Sequence, residues 1–247
     1  MTDATAYCAR RLGAWGEVMV TGMLGGARNE VLEIRLGGKR RVARRSRRPA
    51  DSLEWELDLL EHLANRGFRV PRVVPTLHGN RFVDNIVVQE WLPGREPVSG
   101  ADWQAVADEL RRLHATTVGW PQRQGFRITS ELVERSRSGD VDLGRMPSDV
   151  VAACRGAWAA LSGEPAVVHG DPGAANIRIS PAGVGLLDWD EARVDHPAMD
   201  LADLPVTVLP AAEQAAARAA VDAWEVAAGW FVEPEYARER LARLGRG

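Results

Sequence analysis

The stretch VVHGDPGAANI, residues 167–177, with its continuation RISPAGVGLLDWDEARVDHPAMDLADL, residues 178–204, decides how this chain is read. Valines lead in and an isoleucine leads out, so both flanks want burial. Between them stand His169, Asp171 and Asn176, with two glycines and a proline. Packing alone does not ask for such a loop. Beyond it, IRIS and VGLLD read as two strands joined by a turn at Pro181–Ala182–Gly183. A hairpin centred on Ala182 pairs residue 180 with 184 and 177 with 187, and by the same count sets Asn176 opposite Asp188. Directly opposed residues have Cβ atoms only about 5 Å apart and share one face. An amide oxygen and a carboxylate converging in this way suit Mg²⁺, a hard cation that takes few protein ligands and keeps water and phosphate oxygens as the rest. Asp171 lies five residues before Asn176 and is close enough to face the same space.

The bulk numbers are those of an ordinary globular protein. Of 247 residues, 45% are apolar and 26% charged, which excludes a disordered chain. A net charge of −3 excludes a generally basic nucleic-acid binder. Cys8 and Cys154 have no metal-ligand spacing and are expected as free thiols in a reducing cytoplasm. The first residues lack the apolar core of a signal peptide, and no apolar run approaches the ~20 residues that span a bilayer.

Outward from the loop, the chain changes character once. VMVTGMLGGARNEVLEIRL reads as two strands about a glycine turn, and RRVARR as a third after GGK. DSLEWELDLLEHLANRG is a helix with Leu53, Leu57, Leu60 and Ala64 on one face, Asp51 and Glu54 as a capping box, and Gly67 past its end. VPRVVPTLHGNRFVDNIVVQEW reads as two more strands about a turn at His78–Gly79–Asn80, and LPGREP has linker chemistry. ADWQAVADELRRLHATT, SDVVAACRGAWAAL, AAEQAAARAAVDAWEVAAG and PEYARERLARLG are helical. The expectation is an α+β chain: residues 1–92 a small antiparallel sheet with one helix, residues 93–247 mostly helical with an embedded hairpin, and a hinge near 89–94.

HGDPGAAN resembles the catalytic loop of the aminoglycoside phosphotransferase and choline kinase superfamily, small-molecule relatives of the protein kinases. LLDWDEARVDHPAMDLADL resembles the metal-binding segment that follows it. The pattern His-x-Asp-x4-Asn, then an aspartate 12 residues on, is similar to the kinase set of base, metal-binding amide and metal-binding acid. The resemblance extends roughly from Gly22 to Leu204. It implies a two-lobed protein-kinase-like fold and transfer of the γ-phosphoryl group of ATP or GTP to a small-molecule hydroxyl, with Mg²⁺.

Carried over by residue, Asp171 would accept or orient the substrate hydroxyl proton, with His169 shaping the loop. Asn176 and Asp188 would hold the metal, and Asp200 would tie the loop down. MLGGARNEV resembles the phosphate-covering loop, where Gly25 and Gly26 permit close backbone approach. The resembling enzymes bind phosphate with a basic residue on the third strand, paired to a helix glutamate. This chain has no lysine there; Arg44 is the candidate, with Arg45 one register away, and an arginine fork bonds phosphate bidentately. Glu56 fits the helix glutamate, with Glu54 and Glu61 competing. VVQEWLPG resembles the hinge, where backbone groups of Glu90, Trp91 and Leu92 would meet the base.

Other residues have plainer readings. KRRVARRSRR reads as a solvated strand edge carrying one phosphate-binding arginine, not as a nucleic-acid site, because no aromatics interleave with it. His114 and the tryptophans on helices, Trp103, Trp158, Trp224 and Trp230, read as packing residues. From Asp195 through Tyr236 there are eight acidic residues and one basic, Arg218. That content fits a solvated helix face; in the resembling antibiotic kinases the C-terminal helices line an acidic pocket for a polycationic sugar, so the resemblance implies as acceptor an aminoglycoside-type antibiotic, which the enzyme would inactivate, or an amine or sugar metabolite. The expected partners are a nucleoside triphosphate and a small hydroxyl-bearing molecule, with no nucleic acid and no membrane, in a cytoplasmic monomer or dimer. Two rivals remain: a catalytically silent kinase-like nucleotide binder, suggested by the missing lysine, and a metal-dependent phosphohydrolase using His169, Asp171 and Asp188 as ligands.

Overall fold

The structure, a computed structural model, describes residues 10–24 and 30–244. Its strands are β1 (Val18–Met23), β2 (Glu30–Leu36), β3 (Lys39–Arg45), β4 (Ile86–Glu90), β5 (Arg137–Ser138), β6 (Val141–Asp142), β7 (Ala166–Val168), β8 (Ile177–Ser180), β9 (Gly183–Leu186) and β10 (Arg193–Asp195). Its α-helices are α1 (Ala50–Asn65), α2 (Gly100–Thr116), α3 (Ser148–Ala159), α4 (Ala198–Leu201), α5 (Ala211–Gly229) and α6 (Pro234–Leu244). The chain divides into two compact units. One is Met1–Arg95 with Arg178–Asp190, the other Glu96–Ile177 with Glu191–Gly247.

In the first unit β1 to β4 form an antiparallel sheet in chain order. Alternation drives Leu32 and Ile34 of β2 and Ile86 and Val88 of β4 into one core with Leu12, Trp15 and Ala43. α1 buries Leu53, Leu57, Leu60 and Ala64, the face its periodicity announces. The expected Asp51–Glu54 capping box does not form: Pro49 is the N-cap, no side chain caps the helix, and Glu54 pairs with Arg81 instead. Pro49 fixes its own φ near the value needed to enter the first turn, so the helix starts without a side-chain acceptor. The segment before His78 is also less regular than expected. Its β-pairing is limited to isolated bridges, Val73 to Gln89 and Arg69 to Gly185, because Pro71 and Pro75 lack the amides a ladder needs.

The hairpin β8–β9 packs with this first unit, whereas the sequence reading put everything after residue 92 in the second. The cause is local bonding. Arg95 and Ile179 exchange backbone hydrogen bonds of 3.0 and 2.7 Å, and the Arg69 guanidinium donates to the carbonyls of Pro93 and Gly183 at 2.9 and 2.6 Å. Gly94 makes the close pass possible: its φ is 148°, and a Cβ there would lie 2.9 Å from the Ile179 carbonyl oxygen.

The second unit is helical around a core of Phe126, Leu132, Cys154, Trp158, Trp224 and neighbouring apolar residues. Trp158 and Trp224 are buried, as their helical positions led us to expect; Trp103 and Trp230 are half-buried. Burial pushes the Cys154 thiol up to about 12, so it is an inert packing residue at neutral pH. Cys8 lies outside the described residues. α2 has a full capping box, Ser99 accepting from the Asp102 amide and Asp102 from the Ser99 amide. β7 and β10 pair antiparallel, Arg193 opposite Val168. Beside them a buried ion pair joins Arg193 and Asp195 at 2.9 Å; Thr129 bonds the same carboxylate, and Arg193 stacks on Trp224 with its guanidinium 3.6 Å from the ring centroid. These bonds hold the strand that supports the loop after β7. No helix of the described residues is long and apolar enough to cross a membrane.

Candidate active site

The loop His169–Asn176 leaves β7 and enters β8 through a 3₁₀ turn, Ala174–Asn176. Two backbone amides anchor its start. His169 N–H and Gly170 N–H donate to the two oxygens of Asp200, at 2.7 and 2.9 Å, and His114 Nε2 lies 2.9 Å from the same carboxylate. Asp200 sits on α4 and is fully buried. Burial alone would raise its pKa, but the His114 hydrogen bond and charge, the nearby His169 and the Gly170 amide outweigh that and hold the carboxyl below its usual range. Charge-assisted bonds of this kind contribute about 1.5–3 kcal/mol each, so Asp200 is a strong tie.

Gly170 turns the chain. Its φ is 87°, and a Cβ would fall 2.6 Å from the Glu191 carbonyl oxygen. Only glycine fits between the two strands there. His169 is fully buried and its Nδ1 accepts from the Asp171 amide at 3.4 Å, a loop-shaping contact. The result is an exposed Asp171 carboxylate on a backbone held from beneath. The Asn176 side-chain amide donates to Asp171 Oδ2 at 2.9 Å and to the Asp171 carbonyl at 3.0 Å. Its nitrogen is therefore spent on Asp171, and its oxygen is the side-chain atom left to accept.

In the first unit, β9 ends at Leu186, earlier than the sequence reading has it. Trp189 is buried and its indole N–H donates to the Leu186 carbonyl at 3.2 Å, closing a turn in which Asp188 takes φ 52°. A non-glycine residue in this left-handed region is uncommon, and aspartate tolerates it better than most. The strand stops short of this turn, which leaves Asp188 exposed and buries Asp190. Asn176 precedes β8 and Asp188 follows β9, so both lie outside the ladder, and they belong to different units.

Arg44 and Glu56 are brought together. Arg44 projects from β3 and donates through Nη2 to Glu56 of α1, both side chains buried. Arg44 Nη1 also reaches Asp190 Oδ1 at 3.3 Å, and Arg48 holds Asp190 Oδ2 from Nε at 3.2 Å. Arg45 is one register away, opposite Ile86, and only half-buried. Of the competing glutamates, Glu54 is spent on Arg81 and Glu61 is exposed. Asp190 and Arg48 are the members that sequence reasoning missed. Arg48 lies in a basic run whose other members are as charged as it is, and Asp190 lies beyond the turn that follows the hairpin.

At the expected hinge, Glu90 ends β4 opposite Arg41. Its amide donates to the Arg72 carbonyl at 2.8 Å, so the Glu90 N–H is not available to a base. Trp91 carries the Arg40 guanidinium over its ring at 3.4 Å, and Leu92 packs so tightly on Gly185 that a Cβ there would lie 2.6 Å from its Cδ2. Gly25 and Gly26 lie outside the described residues. The basic run is largely matched by acids: Arg40 with Glu33, Arg41 with Glu90, Arg44 with Glu56, Arg48 with Asp190.

Solved structures share this fold. Amicoumacin kinase hAmiN, in complex with AMP-PNP, Ca²⁺ and Ami, is 19% identical over 98% of this chain and 85% of its own, with a TM-score of 0.64. Choline kinase LicA from Streptococcus pneumoniae is 16% identical over 99% and 98%, with a TM-score of 0.67. The microcompartment-associated aminopropanol kinase is 18% identical over 98% and 94%, with a TM-score of 0.63. At such identities the likeness is one of fold, the protein-kinase-like α+β fold expected from the loop. No curated protein sequence matches the chain. The family model of the phosphotransferase enzyme family, APH, matches residues 20–241, nearly the whole chain, and the chain belongs to that family.

Proposed function

We propose that this phosphotransferase moves the γ-phosphoryl group of ATP or GTP to a hydroxyl of a small, amine-bearing molecule. The observation that carries the reading is Asp171. Its carboxylate is exposed, its backbone is anchored through His169 and Gly170 to Asp200, and it accepts a hydrogen bond from Asn176. A carboxylate held that way can take up or orient the proton of an incoming hydroxyl without moving its own backbone.

Asn176 and Asp188 are the proposed metal ligands. The Asn176 oxygen faces away from its hydrogen-bonded nitrogen, and Asp188 is an exposed acid on a tight turn, a donor set that fits a hard divalent ion such as Mg²⁺ with few protein ligands. When bound, that ion would supply charge neutralisation on the nucleotide phosphates. Arg44, kept in place by Glu56, is the proposed phosphate-binding residue, and Gly25 and Gly26 the proposed phosphate cover. Trp91 and Leu92, with the Glu90 carbonyl, are the proposed contacts to the base. ATP as donor goes with a cytoplasmic setting.

The acceptor follows from the acids in the last third of the chain. Of the eight between Asp195 and Tyr236, Asp195 and Asp200 are buried in bonds to their own unit. Asp203 and Asp222 pair with Arg218 and Arg240, at distances of 3.7 and 2.7 Å. At least half of those acids thus have partners in their own unit, which favours an amino alcohol over a polycationic antibiotic. The phosphohydrolase alternative needs a cluster of metal ligands, and no group of three His, Cys, Asp or Glu suited to a metal exists among the described residues.

The test is a panel of amino alcohols, sugars and aminoglycosides read as ADP release, with Asp171→Ala as control. Turnover of an amino alcohol that disappears in Asp171→Ala supports the proposal. Tight Mg·ATP binding with no phosphorylated product across the panel would instead favour a silent nucleotide binder, and an Asp171→Ala enzyme as fast as wild type would remove the assigned base.

A further inference from the structure

We infer that Asp190, clamped by Arg48, is a positioning residue that sets the Arg44 guanidinium for phosphate and so lets an arginine serve where the resembling enzymes carry lysine. The inference rests on the phosphoryl-transfer reading above.

The clamp has four members, all buried and all in the first unit. Relative exposures are 5% for Arg44, 1% for Glu56, 8% for Asp190 and 8% for Arg48. Two positive and two negative side chains make a neutral set, which is what burial demands of ions, since an unmatched charge in such a place is costly. The bonding is directional. Glu56 takes Arg44 Nη2 and Asp190 takes Arg44 Nη1, so the planar guanidinium is pinned from both of its terminal nitrogens. One anchor would leave the plane free to turn about a single N···O line; two fix it. The Asp190 carboxylate is itself held, its other oxygen receiving Arg48 Nε at 3.2 Å and Nη2 at 3.1 Å.

This arrangement suits arginine and not lysine. The two anchoring bonds use two of the five N–H donors of a guanidinium, and the rest of the fork stays directed by them. A lysine offers three donors on one nitrogen. It cannot bond two carboxylates at separate ends of a plane and keep a fixed edge for a third anion. The clamp also links the phosphate-binding side chain to the segment bearing Asp188. Asp190 is two residues on, with the buried Trp189 and its bond to Leu186 making the intervening turn stiff.

The alternative is that the four side chains merely stabilise the fold. The two differ in what happens to nucleotide affinity in protein that is still folded. Binding of Mg·AMP-PNP is measured by calorimetry on wild type, Asp190→Asn, Asp190→Glu, Arg48→Gln, Arg44→Lys and the Arg44→Lys/Asp190→Asn double variant, with thermal midpoints for each. We expect Asp190→Asn to weaken binding about tenfold and to raise KM for ATP while kcat changes less than about threefold. Asp190→Glu should recover part of the loss, and Arg48→Gln should show a smaller loss of the same kind. Because Asp190 acts through Arg44, the double variant should bind no more weakly than Arg44→Lys alone. Equal affinity in wild type and Asp190→Asn, or losses that multiply in the double variant, would overturn the clamp. If Asp190→Asn does not fold, Arg48→Gln carries the same criterion: unchanged affinity rejects the clamp, weakened affinity supports it. A wild-type protein that fails to bind Mg·AMP-PNP would instead reject the phosphoryl-transfer reading itself, and the clamp with it.

Discussion

The side chain of Asn176 gives both of its hydrogen bonds to one residue, the carboxylate and the carbonyl of Asp171, at 2.9 and 3.0 Å. One amide thus holds the proposed base and leaves its own oxygen for the proposed cation. Loss of the side chain should therefore damage two functions at once. Asn176→Ala is expected to lower kcat on the order of a hundredfold, the scale seen when one preorganised polar group is removed from a site, and to raise the Mg²⁺ concentration for half-maximal rate. Initial rates titrated with MgCl₂ check both; a variant with an unchanged Mg²⁺ curve would contradict the assignment of its oxygen.

Asp188 sits at φ 52°, a conformation that costs a side-chain-bearing residue roughly 1–2 kcal/mol and costs glycine nothing. Activity and stability should therefore separate there. Asp188→Gly is expected to abolish phosphoryl transfer with a thermal midpoint at or above that of wild type. Asp188→Ala, which keeps the backbone strain, should be the less stable of the two. Melting curves beside activity assays distinguish them, and a Gly variant clearly less stable than the Ala variant would contradict the strained turn.

The Asp200 carboxyl has an ordinary value of 3.8 and is held below it in the folded protein. The unfolded chain then binds a proton more readily than the native one, so stability from this group is fully present above about pH 4 and is lost as pH falls through the lower native value. Asp200→Asn should be less stable than wild type at pH 7, and the difference should shrink as pH drops below about 4. Thermal midpoints measured from pH 7 to 3 test this. A constant gap across that range would show that the carboxylate charge is not what ties down His169 and Gly170.

Gly170 offers no such relief. A Cβ there meets the Glu191 carbonyl at 2.6 Å in a backbone already at φ 87°. Gly170→Ala should cost about 2–4 kcal/mol, combining left-handed strain with a clash against backbone. Activity should fall too, since the displaced loop carries Asp171. Chemical denaturation gives the first quantity and ADP release the second.

Much of this was readable in one dimension because it depends on local chemistry. His169, Gly170, Asp171 and Asn176 lie within eight residues, and a loop that short brings its polar groups together whatever surrounds it. The helix face of Leu53, Leu57 and Leu60 follows from period alone, and so does the inward alternation of Leu32 and Ile34. The choice of Arg44 over Arg45 rested on strand spacing, and that of Glu56 over Glu54 on helix spacing. The expected capping box that does not form at Asp51 and the expected strand that does not form before His78 have a common source: a proline took the position or removed the amide that the pattern needed.

What the sequence determined by itself was the make-up of the loop and turn that carry the proposed base, amide and acid, because these are given by residue type and by short separations along the chain. Only the tertiary structure decided which charges neutralise which. Arg44 and Asp190 are 146 residues apart and His169 is 31 from Asp200, yet each pair is bonded. Burial forces every ion to find a partner, and the partner is chosen by which elements pack together, a property of the folded chain that no spacing along it records.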